Sequence, residues 1–501
     1  MNEAGLAKRA GVILQADPNR VMARIFIPGQ EELIRGPSRA RDVLGRLLAI
    51  PEAQVQTTLD DVLTQFADRH RDLGDHLEQH FTALEYQIEA HHQLTPERRK
   101  LIGAYFTLEY AFESTALFNP SIVPHFNQSR VPNGKLRVIV SLRAVGEGHI
   151  SSLVFRTGLL DSDGQLQMDP ASPFATTRSR RHTVLKRRFV QQVAIERGID
   201  SDDLQLVLGM LPDSFTPEDI DVTLAQLYSI HPREHPDGVD LTAVLHEIAQ
   251  SSYEVAFDSA LPLDELVLWP TSMDERRGME DARFVRFVDA DGSQTYRASY
   301  TGFNGVAVRT RILETHDFHV FSSMELTGDA TANKGLAFFP RRVRGELLAL
   351  ARWDRESNSL AASEDGYHWH ERAQLQLPAQ LWELVHLGNC GSPIETEQGW
   401  IVLTHGVGPM RRYCIGAMLL DLDDPSIVRA VLPEPLLAPT EEERNGYVPN
   451  VVYSCGALAY KGTLVIPYGI SDSRTGLATV NLSELMEAFQ DHRVARSNNR
   501  H

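Results

Sequence analysis

The sequence is short of cysteine. Its 501 residues hold three, Cys390, Cys414 and Cys455, with no CxxC pair among them. A zinc site built on thiolates is therefore not expected, and three buried, unreactive thiols are the simplest reading. No run of about 20 apolar residues occurs, so no membrane-spanning helix is expected. The opening stretch MNEAGLAKRAGVILQADPNR lacks the long apolar segment of a secretory leader. With an odd cysteine count, that points to a cytoplasmic location. Positive charge is in deficit: 49 Lys and Arg face 67 Asp and Glu, for a net −18. Such a balance repels nucleic-acid phosphates and argues against that partner. Small anions are not excluded, because a local cation cluster can invert the field inside a cleft. GVGPMRR bears glycines but lacks the spacing of a phosphate loop, and His91 and His92 stand side by side rather than four apart. Neither a nucleotide, nor a metal, nor an organic cofactor is expected.

What is present divides into helical and strand-rich stretches. The length exceeds one ordinary core, so two or three structural units are expected. Residues from about 30 to 115 carry apolar positions at helical spacing, as in Leu59, Val62, Leu63 and Phe66. Thr95 and Pro96 read as an N-cap and first helical residue. A second helical block runs from about 180 to 255, where Thr216 and Asp219 have capping-box spacing. The basic run RSRRHTVLKRR, Arg178 to Arg188, reads as a solvated helix face.

The remainder alternates short strands and turns. Five strand pairs recur: LFNPSIV with LRVIVSLRAVG, EDARFVRFV with TYRASYTG, KGLAFFPRRV with GELLALARWD, GSPIETE with GWIVLTHGV, and NVVYSCGALAY with GTLVIPYGISD. Strand-pair repeats at roughly 50-residue spacing suggest a propeller. A sandwich would explain the strands, but not the polar residues at their ends. In a propeller the inner strands line one axial channel, so Asn119, Arg143, Asp281, Lys334, Arg352, His405 and Asp472 converge there. The stretch RRGMEDARFVRF sets Glu280 beside Asp281. Strand alternation turns neighbours to opposite faces. Asp281 is expected to face the channel, with Glu280 on the other face or supporting it from behind. Taken alone, the acidic pair is an ordinary solvated turn.

The ordered set LFNPSIV, SLRAVGEGHISS, GMEDARF, YTGFNG, NKGLAFFP, GWIVLTHGV, IGAMLLDLDDP, GYVPNVVYSCGAL and GISDSRTGLATVNL resembles glycoside hydrolase family 130, the β-mannoside phosphorylases and some β-mannosidases. The likeness spans about 117–165 and 256–486. It implies an all-β five-bladed propeller core carrying an α-helical N-terminal extension and an α-helical insertion. The expected divisions are a helical extension at 1–116, a first blade region at 117–165, a mainly helical insertion at 166–255, the remaining blades at 256–490 and a tail at 491–501.

The resemblance also implies inverting phosphorolysis of a β-mannoside to α-mannose 1-phosphate and a shortened acceptor, with inorganic phosphate as co-substrate. It places the catalytic acid at Asp281, acting through the sugar's 3-hydroxyl, and substrate contacts at Asn119, Arg143, Glu280, Tyr300 and Asp472. Ala282 stands where many members have Pro. An acid working near neutral pH needs a raised pKa, from burial or a neighbouring carboxylate. Phosphate needs cations rather than a base; Lys334, Arg352 and His405 resemble the phosphate-binding positions. Glu395 stands where phosphorylases commonly have Lys, and in a hydrolase it would be the base that activates water. A β-mannosidase and a non-catalytic binding propeller are the rival readings. The helical regions are candidates for an oligomer interface or a cap over the pocket.

Overall fold

The computed structural model describes residues 5–28, 39–87, 94–230 and 240–492. His91 and His92 lie outside them. The architecture is mixed α/β. In the N-terminal part, helices Arg39–Leu48, Glu52–Phe66, Leu73–Thr82 and Pro96–Tyr105 bury Leu44, Leu47, Phe81 and Ile102 in one small core and Leu59, Leu73 and Leu77 in another. Thr95 caps the last helix by accepting from Arg98 N at 3.2 Å, which meets one of the donors a helix start leaves unpaired.

This stretch is not helical throughout. Strands Met22–Ile25 and Thr107–Tyr110 pair and bracket the helices. Ala7–Leu14 is a strand that adds antiparallel to Arg474–Asn481 at the far end of the chain. Its apolar Ala10, Val12 and Leu14 alternate and pack on the neighbouring core, which is a strand period rather than a helix period.

The second helical part comprises Arg187–Glu196, Asp202–Met210, Pro217–Ile230 and Leu241–Ser251, with its own core around Val190, Leu208, Leu245 and Ile248. Thr216 and Asp219 exchange hydrogen bonds: Thr216 N donates to Asp219 Oδ2 at 2.8 Å, and Asp219 N donates to Thr216 Oγ1 at 3.4 Å. The basic run differs from the helix expected. Arg181–His182 is a strand paired with Tyr253–Ala256, and the helix begins only at Arg187. The free edge of that strand offers the run backbone partners that a solvated helix would not need.

Each of the five strand pairs read from the sequence forms antiparallel: Ala116–Pro124 with Leu136–Val145, Gly278–Val288 with Gln294–Phe303, Ala337–Phe338 with Leu347–Ala351, Ile394–Thr396 with Gly399–Val407, and Val452–Tyr453 with Thr463–Ile470. Their grouping differs from five separate blades. Hydrogen bonding joins the first two pairs in one eleven-stranded sheet, through a single parallel pairing of Gly278 with Ser151. The approach is so close that a Cβ on Gly278 would lie 2.2 Å from Ser151 Oγ.

Hydrogen bonds also run from each strand-pair region to the next. Phe284 N donates to Ser121 Oγ at 3.2 Å, and Ser299 Oγ donates to Leu336 O. Asn389 Nδ2 donates to Gly335 O at 2.6 Å, and Tyr413 N to Asn450 O at 3.0 Å. Cys455 N donates to Pro120 O at 2.8 Å, which brings the last pair back to the first. Between the sheets lie apolar cores, such as the aromatic group Phe155, Phe284, Phe318 and Phe321. Each such side chain contributes roughly 1.5–3 kcal/mol when fully buried. Among the described residues no helix is long and apolar enough to cross a membrane. All three cysteines are buried free thiols.

Candidate active site

Two strands carry the same local fault. In Gly278–Val288 the register with its partner slips between Glu280 and Arg283, so Asp281 and Ala282 oppose one residue, Tyr300. In Ala116–Pro124 it slips between Phe118 and Ser121, so Asn119 and Pro120 oppose one residue, Leu142. Each is a β-bulge. The bulged residues Asp281 and Asn119 have left-handed backbones, at φ 55° and 48°. Asn and Asp tolerate that region better than most side chains.

The bulges aim the two side chains at each other. Asn119 Nδ2 donates to Asp281 Oδ1 at 2.6 Å. They also undo the expected alternation: Glu280 and Asp281 do not part to opposite faces. Both meet Arg143, which places NH2 at 2.7 Å from Glu280 Oε1 and NH1 at 3.6 Å from Asp281 Oδ1. The half-exposed Lys334 Nζ lies 4.0 Å from Glu280 Oε2.

A second group adjoins the first. Arg283 NH1 donates to Asp281 O at 3.1 Å, and its NH2 donates to the Tyr453 hydroxyl at 2.5 Å. The Tyr453 ring lies 5.0 Å from the ring of His405. Arg352 NH1 donates to His405 Nε2 at 3.2 Å, while His405 Nδ1 donates to Asn389 O at 3.1 Å. Both ring nitrogens are thus engaged and His405 is 4% exposed. Burial, with Arg352, His386 and Arg283 nearby, drives its pKa well down, so the ring is neutral. It positions Arg352 rather than offering a charge of its own. Gly388 makes the packing possible, since a Cβ there would lie 2.5 Å from His405 Cε1 and 3.1 Å from Arg352 Cδ.

The carboxylates divide in a way the sequence did not suggest. Burial pushes Asp281 up, but Arg143, Lys334, Arg283 and the Asn119 hydrogen bond outweigh it and hold the group below its ordinary value. The raised carboxyl is Asp472, whose pKa is pushed up to about 6 by burial and by the charge of Asp281. Asp472 sits in a left-handed turn with Ser471. Together with Arg143 and Glu280 it lines a cleft of about 380 Å³. A proton holder beside a cation-stabilised carboxylate is a familiar acid-base arrangement.

Two expected positions lie elsewhere. Tyr300 is 1% exposed, and its hydroxyl donates to Glu275 Oε1 and accepts from Arg311 Nε at 2.9 Å. Cross-strand pairing with Arg311 commits it to the interior, so it is no substrate contact. Glu395 is 41% exposed and accepts from Arg341 Nε at 3.1 and 3.0 Å. Paired with Arg341 on a surface strand, it does not join the cluster. Sequence reading missed Arg283, Asn389 and Tyr453. Arg283 and Tyr453 stand inside the motifs already quoted for the family, which was the available signal.

Residues 255–491 match a family described as beta-1,4-mannooligosaccharide phosphorylase. A 1,2-beta-oligomannan phosphorylase of Thermoanaerobacter sp. (strain X514) is 31% identical over 254 residues, which are 48% of this chain and 80% of that protein. A beta-1,2-mannobiose phosphorylase of Listeria innocua serovar 6a is 31% identical over 235 residues, which are 44% of this chain and 63% of that one. The solved structure of a Listeria innocua beta-1,2-mannobiose phosphorylase with beta-1,2-mannobiose superposes with a TM-score of 0.45 at 21% identity, covering 75% of this chain and 93% of that chain.

Proposed function

The chain belongs to glycoside hydrolase family 130, and from that membership we propose that it cleaves β-mannosides by phosphorolysis, releasing α-mannose 1-phosphate and a shortened acceptor sugar. The observation that carries the reading is convergence. Asn119, Arg143, Asp281 and Asp472 form one group, and Arg352 and His405 another, linked through Arg283 and Tyr453. A proton source and a cation cradle are what phosphate attack on a glycoside needs.

Asp281 is the acid. Asn119 and Arg143 orient the mannosyl unit, with Glu280, paired to Arg143, and Asp472 on the cleft wall. Asn119 Oδ1 is buried without a protein partner, which suits a sugar hydroxyl donor. Lys334 and Arg352 hold phosphate, and His405 fixes Arg352. A phosphate oxygen attacks the anomeric carbon as the bond to the leaving oxygen breaks. The Asp281 proton reaches that oxygen by way of the sugar's 3-hydroxyl.

The lowered pKa of Asp281 fits this scheme when phosphate is counted. Lys334, one of the cations that keep the carboxyl ionised, is also one that an incoming phosphate dianion offsets. Burial then weighs more, and the pKa of the carboxyl moves up toward protonation. The low pKa thus belongs to the protein without substrate, and phosphate binding arms the acid.

A five-bladed closure of the strand pairs is part of the same reading. Its support is the run of hydrogen bonds from each pair to the next, ending with Cys455 on Pro120. The pairing of Glu395 with Arg341, apart from the cluster, supports phosphorolysis over the hydrolytic alternative. Incubation with β-1,2- and β-1,4-mannobiose, followed by phosphorus NMR, tests the activity. Mannose 1-phosphate forming only with phosphate supports it; free mannose forming equally fast without phosphate refutes it.

A further inference from the structure

The cleft has a wall that the chemistry above does not use. Beyond Glu280 it is lined by His149, Arg277, Phe303 and Tyr447. His149 belongs to the loop after strand Leu136–Val145, and Tyr447 to the segment before Val452–Tyr453. Their rings nonetheless lie 5.7 Å apart, inclined by 33°. Tyr447 is 61% exposed, so burial does not account for the meeting. Flat rings at a cleft mouth suit the C–H faces of a pyranose. The exposed Arg277 side chain makes no hydrogen bond or ion pair among the described residues, leaving its donors for sugar hydroxyls.

The loop carrying His149 is held from outside the strand-rich core. Gly148 and His149 are both left-handed, at φ 65° and 57°, and for His that conformation persists only where its surroundings enforce it. The surroundings are the strand that closes the N-terminal helical part. The buried Tyr110 hydroxyl donates to Glu147 O, and Glu147 N donates to Ala111 O at 3.3 Å. Gly146 packs so tightly there that a Cβ would lie 2.4 Å from Ala111 O. Tyr110 is itself braced edge-on against Trp269 at 4.9 Å.

We propose that His149, Tyr447 and Arg277 form the subsite for the leaving sugar. Tyr110 is a positioning residue through which the N-terminal helical part shapes that subsite and so selects the acceptor. The identity of the occupant as leaving group rests on the phosphorolysis reading; the saccharide site does not.

The test is calorimetric titration of the full chain, without phosphate, by mannose and by β-mannobiose. Wild type binds the disaccharide about tenfold more tightly than mannose, an increment within reach of one aromatic platform. His149→Ala and Tyr447→Ala abolish that increment and leave mannose binding unchanged. Tyr110→Phe, melting as wild type does, loses part of it. In the synthetic direction the same variants raise KM for the acceptor sugar and not for mannose 1-phosphate. Variants that keep the increment, or a wild type that binds both sugars equally, overturn the subsite. A wild type that shows the increment yet makes no sugar phosphate overturns the phosphorolysis reading alone.

Discussion

Asn119 donates its amide proton to the Asp281 carboxylate across 2.6 Å, and both residues sit at bulges with left-handed backbones in the first strands of neighbouring strand pairs. One bulge alone would leave its side chain in the pleat. The matched pair turns an amide and a carboxyl toward each other. Local strain of this kind persists where the surrounding structure fixes it, and it gathers at functional sites.

Replacing the carboxyl of Asp281 by an amide keeps its shape and removes its proton. Asp281→Asn is expected to lower kcat by about 10³-fold, within the span of general-acid effects. The fold should persist, because the amide can still accept from Asn119. The melt at pH 7 should nonetheless fall below wild type's, because the carboxylate held ionised by Arg143, Lys334 and Arg283 is gone. Phosphorolysis rates and melting curves measured on the same preparation check this, and a variant with near-normal kcat would remove Asp281 from the acid role.

Asp472 predicts a pH signature in stability. Its pKa rises from 3.8 to about 6 on folding, so between those values the folded state binds more protons than the unfolded one. Stability contributed by this group is complete below pH 3.8 and is lost as pH rises through about 6, at a cost of about 3 kcal/mol. Asp472→Asn should therefore melt higher than wild type at pH 8, with the gap closing at pH 4. Melts at the two pH values decide; an equal gap at both would contradict the buried, Asp281-facing placement.

Tyr300 and Arg311 predict a loss of stability without a loss of substrate affinity. Arg311 is fully buried beside Glu275 and the two tyrosines Tyr253 and Tyr300. Arg311→Met strands the Glu275 charge and is expected to cost about 3–5 kcal/mol. Tyr300→Phe removes one hydroxyl from the network and is expected to cost about 1–3 kcal/mol. Urea unfolding measures both. A many-fold rise in KM for the mannoside in Tyr300→Phe, at unchanged stability, would restore Tyr300 to the cleft.

The strand pairs could be read from the sequence because their apolar alternation and turn residues are local signals. That Asn119, Arg143 and Asp281 come together could be read because their motifs are ordered and specific. The relation between Glu280 and Asp281 could not. Alternation is the right prior for a strand, and nothing in EDAR announces the extra residue that cancels it. Tyr300 misled because it stands next to the strand's cleft-facing end, while its register partner Arg311 lies inside the protein. Glu395 misled because its position in the motif says nothing of Arg341, 54 residues away. The N-terminal strand Ala7–Leu14 was hidden because its partner, Arg474–Asn481, lies at the other end of the chain.

The account's central claim is that phosphate and the acid proton are coupled through a shared cation, Lys334, which both holds phosphate and helps keep Asp281 ionised. Calorimetric titration of phosphate at pH 7 in buffers of different ionisation heat counts the protons exchanged on binding. Linkage requires that a group whose pKa rises on binding takes up protons. Wild type is predicted to take up more protons per phosphate than Asp281→Asn, by a difference of up to about one. Phosphate binding with identical proton counts in the two proteins would contradict the coupling, and with it the placing of cradle and acid around one sugar.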